Sequence, residues 1–337
     1  MAHKIVNWLD LEMDFADTLL VGNGASVAVS GEFGYTGLFE AAQVHSFIDA
    51  KAHEVFTRFE TDDFEFVLRR LWQAKQVNAA LGIAVKEVDD AYAAVRKALI
   101  QTVQKVHVSY DAARPHLEPI YKFMRRFRTV VSLNYDLIVY WAAQLGNDQL
   151  GSRYHFKDGF NKNSFADNWA MYRQAYGSVE NPTIYCYPHG NIVLGVTPSL
   201  DEEKLVAGSQ ALLDLIFDEW RSGGRAPLFV CDGTSDQKLD AIQKSEYLRS
   251  VYGGPLSEVG ESLVIYGWGL AKQEAHILDR IAASTPKRVA VSVHEGMQAY
   301  CDHAYKALTD IGVKDVRFFH SHSEGAWHNP SPSSPAV

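Results

Sequence analysis

LLVGNGASVAVSG, residues 19–31, reads as a short apolar strand running into a turn with Gly22 and Gly24 and then into small side chains. Small residues let two backbones approach closely, and N–H groups just beyond a strand end are placed to receive a phosphate. A tight turn with no ligand fits the same residues. The stretch lacks the third glycine of GxGxxG and matches the dinucleotide fingerprint only in part.

The same grammar recurs downstream. Thr129–Leu133 is an apolar strand broken by Asn134-Tyr135-Asp136, Thr183–Tyr187 ends in Pro188-His189-Gly190, and Ser262–Tyr266 ends in Gly267-Trp268-Gly269. Further strands are expected at Pro227–Cys231, 288–293 and 314–319. Helices are expected at Leu117–Arg126, Glu202–Trp220, Lys272–Ala283, near 297–308, and in a segment ending near Val251, with a loop and short helix over Phe156–Tyr176. Wholly apolar strands of about five residues alternating with helices predict an α/β fold with a Rossmann-like parallel sheet and helices on both faces.

Between these parts, residues 37–112 carry helical periodicity. Phe64, Val67, Leu68 and Leu71 form one stripe behind Asp62 and Asp63 at a capping position; Val88, Val95, Leu99 and Val106 form a second. The expected organisation is 1–36 as the start of the Rossmann-like domain, 37–112 as a helical insertion or cap, 113–327 as the remainder, and 328–337 as a flexible tail, with fraying from Gly325 onward.

At 337 residues, 47% hydrophobic and 22% charged, the chain can bury a large core. Thirty-two basic against 41 acidic residues leave a net charge of −9, which argues against direct binding to nucleic acid or an anionic membrane. Cys186, Cys231 and Cys301 are scattered, with no CxxC pair, so neither a disulfide framework nor a zinc ribbon is expected. The segment MAHKIVNWLDLEMDF does not read as a secretory signal, and Asn134 and Asp136 interrupt the most apolar long stretch, Thr129–Leu145. A cytoplasmic protein with no membrane span is the expectation.

In an open α/β sheet, ligands bind outside the carboxyl ends of the strands. Gly22–Ser26, Asn134–Asp136, His189-Gly190 and Gly267–Gly269 therefore converge on one crevice if the fold is right. Asn134 can hold a water or ribose hydroxyl, or cap the next helix, a role open to Asp136 as well. His189 can be a general base or a half-buried histidine bonded to backbone. His320, His322 and His328 lie beside a Ser/Pro-rich tail and read as loop polarity ahead of a metal cluster, Trp327 reads as packing, and Asp158-Gly159-Phe160 reads as a turn that can serve as a lid.

GNGAS, SLNYD, PHG and YGWG, in this order, resemble the divergent bacterial sirtuin-like family of NAD-consuming domains, often found in anti-phage systems. CDGTSDQKLDAIQKSEYL and YGWGLAKQEAHI further resemble a bacterial domain family of unknown function placed in that group. The resemblance covers roughly residues 17–327.

It implies a pyrophosphate-binding segment at Gly22, Asn23, Gly24, Ala25 and Ser26, with Asn23 standing where the pattern usually has alanine. Asn134 would contact the nicotinamide ribose and position water, Asp136 would help form the site, and His189 would be catalytic. Gly267, Trp268 and Gly269 would approach the adenosine side, with Gln273, Glu274 and His276 closing the site. NAD would be the substrate and no metal would be needed. The implied function is hydrolysis to nicotinamide and ADP-ribose by a defence effector. A homo-oligomer is expected because isologous pairing is the commonest route for soluble assemblies, and control by assembly or by an activating partner is expected because an unregulated NADase would be toxic. A nucleotide sensor without turnover, or an ADP-ribosyl transferase or deacylase, are the alternatives.

Overall fold

The computed structural model describes residues 2–34, 37–152, 155–197, 199–208, 211–230 and 233–331. The strands, in chain order, are β1 (Ile5–Val6), β2 (Thr18–Val21), β3 (Thr129–Ser132), β4 (Phe156–Lys157), β5 (Phe160–Asn161), β6 (Ser164–Phe165), β7 (Thr183–Cys186), β8 (Gly190–Val196), β9 (Glu202–Lys204), β10 (Ala226–Phe229), β11 (Ser262–Tyr266), β12 (Arg288–Val293) and β13 (Asp315–His320).

Eight of them form the main sheet in the order β1-β13-β12-β11-β2-β3-β7-β4. Every pairing in it is parallel. β2, β3, β7 and β11 are buried at every position, which explains why they read as unbroken apolar runs rather than alternating ones. From β2 the chain winds through β3 to β7 on one side, then returns to β11, β12 and β13 on the other. The topological switch point lies between β2 and β11.

The helical insertion comprises helices Leu38–Val44, Ala50–Phe59, Phe64–Ala80 and Lys86–Val106. Asp63 caps the third by accepting from the Glu65 and Phe66 N–H groups. Val95, Leu99, Val103 and Val106 are buried along the fourth helix, which packs on the other three and on helix Leu212–Ser222.

Several local expectations change. Glu202–Lys204 is a strand rather than the start of a long helix, and the helix is confined to Leu212–Ser222. The run at Pro227 is β10, whose antiparallel pairing with β8 puts it in a second, five-stranded sheet ordered β10-β8-β9-β6-β5. A five-residue apolar run does not say which sheet it joins, because burial on two faces looks the same in either. Phe156–Tyr176 contains three short strands besides helix Trp169–Tyr172. The helix expected from Leu117 starts at Tyr110, and the chain does not fray at Gly325: Ala326 and Trp327 are buried, with Trp327 Nε1 donating to Ala25 O at 2.8 Å. Cys231 and Asp232 of the expected strand and turn, and positions 332–337 of the tail, lie outside the described residues.

No helix among the described residues is long and apolar enough to cross a membrane. Nor do the described residues contain a group of three or more His, Cys, Asp or Glu placed to hold a metal ion, or a zinc-ribbon motif.

Candidate functional site

β11, β2, β3 and β7 are neighbours, so the four polar breaks lie side by side along one carboxyl edge. At the switch point the backbones close tightly. Gly22 N–H donates to Tyr266 O at 2.9 Å, and Gly24 N–H donates to Gly267 O at 2.7 Å. Gly267 has φ +66°, and a Cβ there would come within 2.3 Å of Ala25 N. Glycine is therefore needed at 267 for both conformation and space. Gly269 faces open space, so the two glycines of YGWG have different jobs. Trp268, buried between them, donates its Nε1 proton to Glu274. Asn23 points away from this contact and donates to Phe33 O at 3.1 Å.

Asn134 turns its side chain back across the sheet edge. Its Nδ2 donates to Gly22 O at 3.0 Å and to Ser26 Oγ at 2.8 Å. Ser26 passes its own proton to Asp136 Oδ2 at 2.5 Å, and Asp136 Oδ1 accepts from Ile138 N–H at 2.9 Å. Neither residue is the cap of the next helix: Leu137 holds that position without a side-chain bond, and Asp136, one residue earlier, holds the N–H of its first residue, Ile138. Asn134, 8% exposed, keeps Oδ1 without a hydrogen bond among the described residues. That oxygen is an acceptor suited to a water or ribose hydroxyl. Burial raises the Asp136 carboxyl above its ordinary range, opposed by His107 and by the Ser26 hydrogen bond.

His189 is 2% exposed. Its Nε2 lies 2.9 Å from His276 Nε2, so one of the two rings donates to the other there. His276 Nδ1 lies 2.9 Å from Ser235 Oγ, which also accepts from the His276 backbone N–H at 3.0 Å. Ser235, His276 and His189 are thus joined in one hydrogen-bonded chain.

Burial, then Lys238 and His276, hold His189 well below the usual imidazole range. Burial and Lys238 pull His276 down to about 4. Both rings are neutral at pH 7.

Sequence reasoning missed Ser235, Lys238, Asn191 and His107. Thr234 and Gln237 form a capping box that marks the start of helix Ser235–Lys244, and the i, i+3 spacing puts Ser235 and Lys238 on one face. No local signal aims that face at His276. Asn191 Nδ2 holds Asp136 O at 2.5 Å, and His107, at the end of the insertion, accepts from Leu137 N–H at 3.0 Å.

Asp158 is buried rather than part of an exposed lid. It accepts from Tyr185 Oη at 3.1 Å and pairs with Lys204 of β9, joining the second sheet to the edge of the first. His322 pairs with His294 at 3.1 Å and His328 packs on His116, so the three tail histidines do not converge.

The family described as Domain of unknown function (DUF4917) matches residues 19–327, nearly the whole chain. The chain belongs to this family. The DUF4917 match begins within β2 and ends at Trp327, so it takes in all four strand-end breaks and the Trp327–Ala25 contact. A search of curated proteins finds no match. The α/β, Rossmann-like architecture of this DUF4917 chain is compatible with nucleotide binding in general.

Proposed function

We propose that the chain is an NAD glycohydrolase of the sirtuin-like, NAD-consuming kind, serving as a defence effector. The observation that carries this reading is the grouping of Asn134, Ser26 and Asp136 with the His189–His276 pair at the switch point of a parallel sheet. The ordered motifs GNGAS, SLNYD, PHG and YGWG support it.

In the reaction, the bond between ribose C1′ and the nicotinamide nitrogen breaks, and its electron pair neutralises the pyridinium. Water adds to C1′ and gives up a proton. Asn134 Oδ1 orients the ribose hydroxyl or the water, and His189 Nε2 accepts the proton once the His276 hydrogen bond has turned aside. Fixed dipoles around the ribose stabilise its developing positive charge. No step requires a metal. Homo-oligomer formation and an activating partner are part of the proposal, because an uncontrolled NADase would be toxic.

Chromatography of products after incubation with NAD tests the reading. Nicotinamide with free ADP-ribose is expected; acyl-ADP-ribose or modified protein would mean transfer instead. A sensor without turnover is favoured by one feature, the enclosure of His189 with its Nε2 engaged by His276. It would bind NAD in calorimetry and release no nicotinamide over hours.

A further inference from the structure

Lys238 is a buried lysine on an otherwise largely exposed helix, with 5% of its surface accessible. Lysine is almost never this buried unless its charge is fully compensated. Here the compensation is incomplete. Among the described residues, the carboxylate nearest its Nζ is Glu274 Oε1 at 3.8 Å, beyond hydrogen-bond distance. Glu274 is also shared: its other oxygen accepts from Trp268 Nε1, and Oε1 lies 4.0 Å from His189 Nδ1. The ammonium therefore has three donors, one shared counter-charge and no hydrogen bond among the described residues. Glu274 Oε1 lies between this Nζ and His189 Nδ1, which places Lys238 at the crevice beside the proposed reacting centre, and its charge lowers both imidazoles.

We propose that Lys238 is an anion-binding residue of the crevice and holds the pyrophosphate of a nucleoside diphosphate ligand beside His189 and His276. The proposal rests on the nucleotide reading above and names the group that the site recognises. The chemistry favours phosphate over a neutral ligand. A phosphate oxygen satisfies the donors that Glu274 leaves unmet, and a second negative charge offsets the cost of the enclosed ammonium. The backbone N–H groups of Gly22 and Gly24 are already bonded to the Tyr266 and Gly267 carbonyls, so these two donors are not free for phosphate.

The test is calorimetric titration of the full chain and of Lys238→Gln and Lys238→Arg with ADP-ribose, ADP and adenosine. Lys238→Gln is expected to weaken ADP-ribose and ADP about 10- to 100-fold, the usual cost of losing a hydrogen bond to a charged group. Lys238→Arg should retain most of the affinity, and adenosine binding should change little. Inorganic pyrophosphate should compete with ADP-ribose in the unaltered protein, a measurement that stands even if a variant fails to fold.

Unchanged ADP affinity in Lys238→Gln, equal loss for adenosine, or no competition by pyrophosphate would overturn the proposal, as would failure of the unaltered protein to bind ADP-ribose or ADP. The two readings fail separately. Lys238-dependent ADP binding without NAD cleavage sinks the glycohydrolase and keeps the anion site. NAD cleavage with an unaltered KM in Lys238→Gln does the reverse.

Discussion

His107 Nε2 accepts the backbone N–H of Leu137 at 3.0 Å, tying the end of the helical insertion to the loop that carries Asn134 and Asp136. The other ring nitrogen donates to Val108 O at 2.8 Å, and burial keeps the imidazole neutral by lowering its pKa. The insertion is thereby joined to the candidate site through a hydrogen bond and not only through packing.

His107→Ala leaves the Leu137 N–H buried without an acceptor. A loss of about 1–3 kcal/mol in unfolding free energy is expected, read from denaturant titration, with nicotinamide release falling alongside it. A variant as stable as the parent would show that the loop holds its shape without the insertion.

Asn134→Ala and His189→Ala should lower nicotinamide release far more than they weaken NAD binding, since both groups are assigned to the transition state. For His189 the expected loss is about 10²–10⁴-fold. His322→Ala, at an exposed pair with His294, should be nearly silent. Circular dichroism checks folding, and near-normal release by both site variants would refute the assignment.

The two glycines of YGWG should respond oppositely. Gly267→Ala forces a side chain against Ala25 N at a left-handed backbone position and should cost about 2–4 kcal/mol. Gly269→Ala meets nothing within 4 Å and should change stability by less than about 0.5 kcal/mol. Similar thermal midpoints for the two variants would contradict the close approach of β2 and β11.

Acid should destabilise the fold through the histidine pair. An unfolded histidine titrates near 6.5, whereas His276 in the fold titrates at about 4. Between these values the unfolded chain binds more protons, so stability rises with pH. The contribution is complete above about 6.5 and is lost as the pH falls toward 4; for His276 alone it amounts to about 3 kcal/mol. Melting curves from pH 7 to 4.5 should show the midpoint falling, with a shallower slope in His276→Gln. Equal slopes would mean that His276 is not held neutral.

Chelation should leave both the melting midpoint and nicotinamide release unchanged. Stoichiometric zinc in elemental analysis of the purified protein would overturn the metal-free reading.

The sequence alone determined the strand-end breaks and the long insertion helices, because both signals are local. A strand covered on both faces must be apolar throughout, and its chain must turn at small or polar residues, so β2, β3, β7 and β11 could be read residue by residue. The stripe from Val95 to Val106 likewise follows from helical period. Only the tertiary structure decided that Ala226–Phe229 pairs antiparallel with β8, since an apolar run of that length suits either sheet. It also decided the hydrogen-bonded chain from Ser235 through His276 to His189. That chain, with the ammonium at 238 beside it, is brought together by strand order and by the face helix Ser235–Lys244 turns inward. Residues that distant along the chain leave no periodicity or spacing to read; their proximity is a consequence of how the sheet is wound.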